Sequence, residues 1–202
     1  MIGDNFLWFP DKSGPQISGE TTDDYFSKKN ALEVSEFEFG LSTNEATEAK
    51  GGAGGAGAKG GSAPSGSGSA GGKAKFGAIT IKKKVDSASV PLYKACSQGT
   101  IFPTVMLVLR ESGGTPLLYL QYIFRYNQIT GISWSGGSGE KRPDEKITFT
   151  FKAMGCQYIQ QLPNGREGNK QQWAWNTVDQ GVSSLTITGI DPPPNYEPGT
   201  QY

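Results

Sequence analysis

The sequence predicts a mainly β fold with a single short α-helix, and three observations support this. Run after run alternates apolar and polar residues with the period of two that half-buried strands require. Only "KKKVDSASVPLYKACSQGTIFP", Lys82 to Pro103, combines helix start and stop signals with apolar residues at helical spacing. The stretch from Thr43 to Lys75 has almost nothing to bury and reads as an inserted loop.

The elements follow in order. "MIGDNFLWFPDKSG" lacks a basic leading region and its apolar run stops at Pro10 and Asp11, so a signal peptide is not expected and the chain should be made and folded in the cytoplasm. "ALEVSEFEFGLS" puts Leu32 and Val34 in one phase and Phe37, Phe39 and Leu41 in the other, as a strand with a one-residue slip near Glu36 would. Strand character resumes in "FGAITIKKKV", where Ile79 and Ile81 share a face and Lys82 to Lys84 read as the solvent side.

The helix is expected over about 87–98. Asp86 or one of the serines after it can cap its start, Pro91 is tolerated in the first turn, and Gly99 stops it. Leu92, Ala95 and Cys96 fall on one face and should pack on a sheet. A helix of about three turns is marginal alone and needs that packing.

"TVMLVLRES" is apolar in both phases, which indicates burial on both faces. The longest alternation follows, with Leu118, Leu120, Tyr122, Phe124 and Tyr126 in one phase and Gln121, Arg125 and Asn127 on a wetter face with Ile123. After a polar loop, "KITFTFKAMGCQYIQQL" reads as a strand with Ile147, Phe149 and Phe151 inward. The expected organisation is one domain over 1–180 with a flexible insertion at 44–75. Residues 181–202 add a short strand and a proline-rich tail.

Composition narrows the function. The chain has 202 residues with 19 of each charge sign, so it shows no basic footprint for nucleic acid. No apolar run approaches the roughly 18 residues of a membrane span. Two cysteines, Cys96 and Cys156, make no disulfide framework and no zinc spacing. Histidine is absent, which removes the commonest general base and metal ligand. "GAGGAG" satisfies the dinucleotide spacing, but no helix opens after it. Asp23 with Asp24, and Glu36 with Glu38, read as solvated carboxylates, and Cys96 as a small hydrophobe. Trp134, Trp173 and Trp175 could form a binding platform. No catalytic residue, cofactor or metal site is assigned.

The run "KKVDSASVPLYKACSQGTIFPTVMLVLRESGG" and the following "YLQYIFRYNQITGISWSGGSGEKRPDEKITFTF" resemble the Hcp family, the tube proteins of the bacterial type VI secretion system. Lys83, Asp86, Leu92, Ala95, Cys96, Gly99, Pro103, Arg110, Gly113, Gly114 and the loop Ser135 to Gly139 carry the likeness. "SGETTDD" and "EVSEFEFGLS" sit where that family has its first strands, and "WAWN" looks like its C-terminal strand.

The resemblance implies a compact barrel of two packed antiparallel sheets with one short helix at its side. It implies a homohexameric ring, stacked into a tube inside a contractile sheath and topped by a spike protein, with small effector proteins in the channel. It implies a structural protein, not an enzyme, exported by the apparatus without membrane insertion or nucleic-acid binding. Gln121, Arg125 and Asn127 are then expected to face the channel. Lys50, Gly54, Gly55, Lys59 and Lys73 belong to a loop expected to reach the next ring. A phage-type tail-tube protein shares this fold, and a ligand-binding β-sandwich module is the alternative from a different class.

Overall fold

Strand pairing is organised around one very long strand. The computed structural model describes residues 4–11, 15–43, 74–111, 117–139, 141–178 and 181–182. In chain order the elements are β1 (Asp4–Trp8), β2 (Leu32–Glu33), β3 (Glu36–Glu38), β4 (Leu41–Thr43), β5 (Ala74–Phe76), β6 (Ile79–Lys84), α1 (Ser89–Ser97), β7 (Ile101–Arg110), β8 (Leu118–Ser135), β9 (Asp144–Thr150), β10 (Ala153–Gln161), β11 (Glu167–Asn176) and β12 (Gly181–Val182).

The first half of β8 lies between β7 and β10 in a sheet of order β12-β11-β10-β8-β7-β1-β2. Its second half pairs with β9, which continues to β6 and β3. β8 thus turns a corner between two packed antiparallel layers, the usual way a strand passes from one sheet to another. The described strands do not close into a complete cycle of pairs. The stretch read as a single strand after the polar loop is broken at Phe151 and Lys152, opposite that corner, into β9 and β10.

Local chemistry makes the corner. Tyr126 has φ 53°, a left-handed value that non-glycine residues rarely adopt, and its ring is exposed. The next residue, Asn127, is 1% exposed and donates to the carbonyls of Phe124 at 2.9 Å and Phe102 at 3.2 Å. These bonds tie the bent strand to β7.

The slip near Glu36 is also a corner. Val34 N–H donates to Asn5 O in β1, and Ser35 N–H donates to Lys82 O in β6, so the chain leaves one sheet for the other between them. Leu32 and Val34 are buried, whereas Leu41 is exposed.

Every residue from Thr104 to Leu109 is buried, as the doubly apolar pattern of β7 requires. The inner face joins a core of Leu7, Val105, Leu107, Phe124, Ile147 and Phe149. The outer face is covered by a non-strand segment, in which Phe26 stacks on Phe6 with centroids 4.0 Å apart. "SGETTDD" therefore is not an early strand: it leads into this cover, and the first strand is β1.

The helix ends where the sequence indicates. Gly99 has φ 63°, its N–H donates to Cys96 O, and Thr100 N–H donates to Ala95 O, the two bonds of a Schellman terminus. At the start, Asp86 Oδ1 accepts the Ala88 N–H at 2.9 Å. Leu92 and Ala95 are each 1% exposed, and Cys96 is half-buried against the same core. Leu92 faces the small internal space lined by Ile81, Phe102, Val105, Ile129 and Ile147. The helix thus plugs one end of the space between the layers, using residues of both.

Candidate functional site

Three clusters of side chains stand out, and each ties a remote piece of chain to the strand framework. The first lies under the start of the helix. Lys83 is in phase with Ile79 and Ile81, so it points inward and is 1% exposed. Its ammonium lies 2.8 Å from Glu145 Oε2 and 2.6 Å from Asp86 Oδ1. Ser89 Oγ donates to Glu145 at 2.9 Å, and the Trp134 indole donates to the other Glu145 oxygen at 2.7 Å. A buried ammonium between two carboxylates is stable only with such full bonding. The solvent-side reading of Lys82 to Lys84 is therefore corrected for Lys83, while Lys82 and Lys84 are outward and pair with Glu36 and Asp144.

The second cluster holds the outer cover. Arg110 Nη1 lies 2.6 Å from Asp23 Oδ2 and Nη2 lies 2.9 Å from Asp4 Oδ2. Burial alone would raise the Asp23 carboxyl, but the Phe26 N–H and the Arg110 guanidinium outweigh it and hold it below the usual range. The Arg110 guanidinium lies over the Phe6 ring, and the Lys29 ammonium over that of Tyr25. Asp4, Phe6, Asp23 and Arg110 border an open cleft of about 760 Å³. Its other charges are also engaged, Arg142 with Glu20 at 2.9 Å and Lys83 as above. Asp23 and Asp24 do not act as a pair: Asp23 caps the Tyr25 and Phe26 N–H groups.

The third cluster is aromatic. The β4–β5 hairpin forms the described base of the long insertion. Phe76 at its end is 6.2 Å from Trp173 and 6.5 Å from Trp175, which stack on each other at 5.8 Å, and 6.0 Å from Phe151. Trp134 is not part of this group and instead meets Tyr93 of the helix at 5.4 Å. The three tryptophans thus do not form one platform.

Of the three residues expected to face a channel, two are corrected. Gln121 and Asn127 are each 1% exposed. Gln121 shares a face with Ile123 beneath the outer cover, and Asn127 pins the corner of β8, so neither reaches a surface of the subunit. Arg125 is half-buried and donates to Thr104. Lys50, Gly54, Gly55, Lys59 and Lys73, with the "GAGGAG" run, lie outside the described residues. Burial pushes the Cys156 thiol up, which favours the unreactive protonated form. Among the described residues no group of three acidic, cysteine or histidine side chains could hold a metal, and no helix is long and apolar enough to cross a membrane.

One of these clusters is signalled in the sequence. Strand phase alone places Lys83 beside Ile79 and Ile81. The Phe76 stack and the Arg110 network join residues far apart in the chain, and no local pattern announces them.

Comparison with known proteins places these features in a family. Residues 6–158 match the family described as "Type VI secretion system effector, Hcp". Protein hcp1 of Pseudomonas aeruginosa is 28% identical over 108 residues, which span 52% of this chain and 66% of that protein. A solved type six secretion system protein is 28% identical, with a TM-score of 0.72 over 89% of this chain and 99% of its own. Hcp1 from Salmonella typhimurium shares the fold at 23% identity, with a TM-score of 0.66 over 91% of this chain and all of its own.

Proposed function

The chain belongs to the Hcp family of type VI secretion system proteins, and we propose that it serves such a system as a structural tube subunit. The family match carries this role, since it runs from β1 into β10 and so takes in both layers and the helix. The type six secretion system structure matched over 99% of its length supports it further. In this role the chain forms a homohexameric ring around a wide channel. The rings stack into a tube within a contractile sheath, meet a spike protein at the tip, and carry small effector proteins. The tube is expelled to the exterior or into a target cell. Function then lies in surfaces that meet other copies, with no catalytic step required of any residue. Identical subunits joined through unlike surfaces form a closed ring when the rotation between neighbours closes on itself, as the family role requires here.

Light scattering on the purified chain is expected to give about six times the subunit mass of 21.5 kDa. A mass near 21.5 kDa at micromolar concentration would count against the ring.

The insertion is assigned to contact between rings. A glycine-rich segment stabilises its own domain little, because ordering glycine costs more backbone entropy than ordering other residues. Its base, however, is held against β11 by Phe76, which gives the segment a defined point of departure. Lys50, Gly54, Gly55, Lys59 and Lys73 are the proposed contacts, and Arg125 remains the proposed channel residue. Replacing 51–72 by a short serine-glycine connector is expected to leave the melting temperature and the ring intact while weakening sedimentable stacks of rings. Stacks of unchanged abundance would remove the insertion from this role.

A further inference from the structure

Residues 19–30, in the cover over the outer face of β7 and β8, form a loop whose two ends touch. The Gly19 N–H donates to Asn30 O at 3.0 Å. A Cβ at Gly19 would lie 2.1 Å from Ala31 O, so only glycine lets the ends come this close. Asn30, the other end, has a left-handed φ of 55°. A surface loop of this length with closed ends is an Ω-loop, packed by its own side chains. Here Tyr25 meets Phe26 edge-on at 4.9 Å, and the Lys29 ammonium lies over the Tyr25 ring at the same distance.

The loop is fastened to the strands by its side chains. Among the described residues, the backbone–backbone bonds of 19–30 reach no further than Ala31. Outward links are Asp23 to Arg110 at 2.6 Å, Thr21 to Glu33 at 2.8 Å, and Glu20 to Arg142 and to the Ser87 N–H, each at 2.9 Å. The Arg142 pair is half-exposed, where water screens it.

The fit beneath the loop is incomplete. Phe26 is 1% exposed and joins Phe6, Trp8, Met106, Val108 and Ile123 in one apolar cluster. In the same place Gln121 Nε2 and Arg110 Nε are buried without a hydrogen-bond partner. Unpaired buried donors disfavour the closed arrangement, and water relieves them when it is admitted.

We propose that residues 19–30 are a lid that swings open as one unit about Gly19 and Asn30, wetting the outer face of β1, β7 and β8 while the core between the layers stays folded. Both ends of the loop lie at one hinge, and no strand pairing has to break. Opening gives up the Phe26 contacts and the Asp23 link to Arg110, and it returns water to the two unpaired donors. The lid does not depend on the tube role.

Two matched cysteines test it in the full chain. Val105 and Val108 are each 1% exposed on opposite faces of β7, Val105 in the core between the layers and Val108 under the lid. Val105→Cys and Val108→Cys are alkylated with iodoacetamide, and peptide mass spectrometry separates each site from Cys96 and Cys156. Val108→Cys is expected to react about tenfold faster or more, at a rate nearly flat in low urea, because a local opening exposes little surface. Val105→Cys should wait for global unfolding and rise steeply with urea. Equal rates with equal urea dependence would overturn the lid. Should Val108→Cys fail to fold, Met106→Cys on the same face, 4% exposed, takes its place. Adding Asp23→Asn to Val108→Cys is expected to raise its rate severalfold with the urea dependence still flat, and an unchanged rate would overturn a lid held by Arg110.

Discussion

Leu92→Asp is expected to abolish the folded state under conditions where the parent chain is stable. Leu92 is 1% exposed and faces residues of both layers, Ile81 and Ile147 on one side and Phe102 and Val105 on the other. An aspartate there loses the leucine burial of about 2–5 kcal/mol and adds an unpaired buried charge costing several more. Domains of this size have only about 5–15 kcal/mol in total. Lys94, on the exposed side of the same helix, supplies the control, and Lys94→Asp should cost under about 1 kcal/mol through the helix dipole. Thermal melts read by circular dichroism check both. A Leu92→Asp melt matching the parent would mean that the helix does not plug the space between the layers.

Lys83→Ala is expected to be nearly as damaging, for an electrostatic reason. It removes the ammonium that sits between Asp86 and Glu145 and leaves the Glu145 carboxylate, 0% exposed, without its cation. Breaking a buried pair in this way costs about 3–5 kcal/mol, whereas replacing both members by neutral groups of similar size costs much less. The double variant Lys83→Met with Glu145→Gln should therefore be more stable than Lys83→Ala alone. The glutamine carbonyl can still accept from the Trp134 indole and its amide N–H can donate to the Ser89 hydroxyl, in place of the bonds these groups make to the two Glu145 oxygens at 2.7 Å and 2.9 Å. Urea unfolding midpoints measure the difference. Equal losses in the two variants would show that the charge itself is not what the site holds in balance.

The helix was legible in the sequence because its signals are local. The spacing of Leu92 and Ala95 and the Gly99 stop lie within one short stretch and both hold in the structure, whereas the helix starts at Ser89 behind an Ala88 N-cap that makes no side-chain cap bond, and Asp86 instead accepts the Ala88 N–H just ahead of it. Strand alternation gave Ile79, Ile81, Ile147, Phe149 and Phe151 their inward phase correctly, and each is buried. The same rule, followed two residues beyond Ile81, places Lys83 inward as well. Its positive charge argued the other way, and the partner that decides the matter, Glu145, lies far along the chain.

Gln121 and Asn127 show where alternation stops being informative. A period of two separates the faces of a strand but does not say that the second face is wet. Here the outer face near Gln121 lies under a cover anchored by Phe26, which comes from a segment with no periodic pattern. Asn127 follows a left-handed Tyr126, so its side chain belongs to a bend and not to a regular strand. β1 is not legible in the sequence, because its five residues give too short a pattern to read. It gains its place by pairing with β7 along its whole length.

Electron microscopy of the negatively stained full chain tests the central claim most directly, because a tube subunit is defined by what its copies build. Uniform rings with a stain-filled centre, and tubes of the same width at higher concentration, are the expected images. Small solid particles with no central channel at every concentration would contradict the assignment of this chain to a tube.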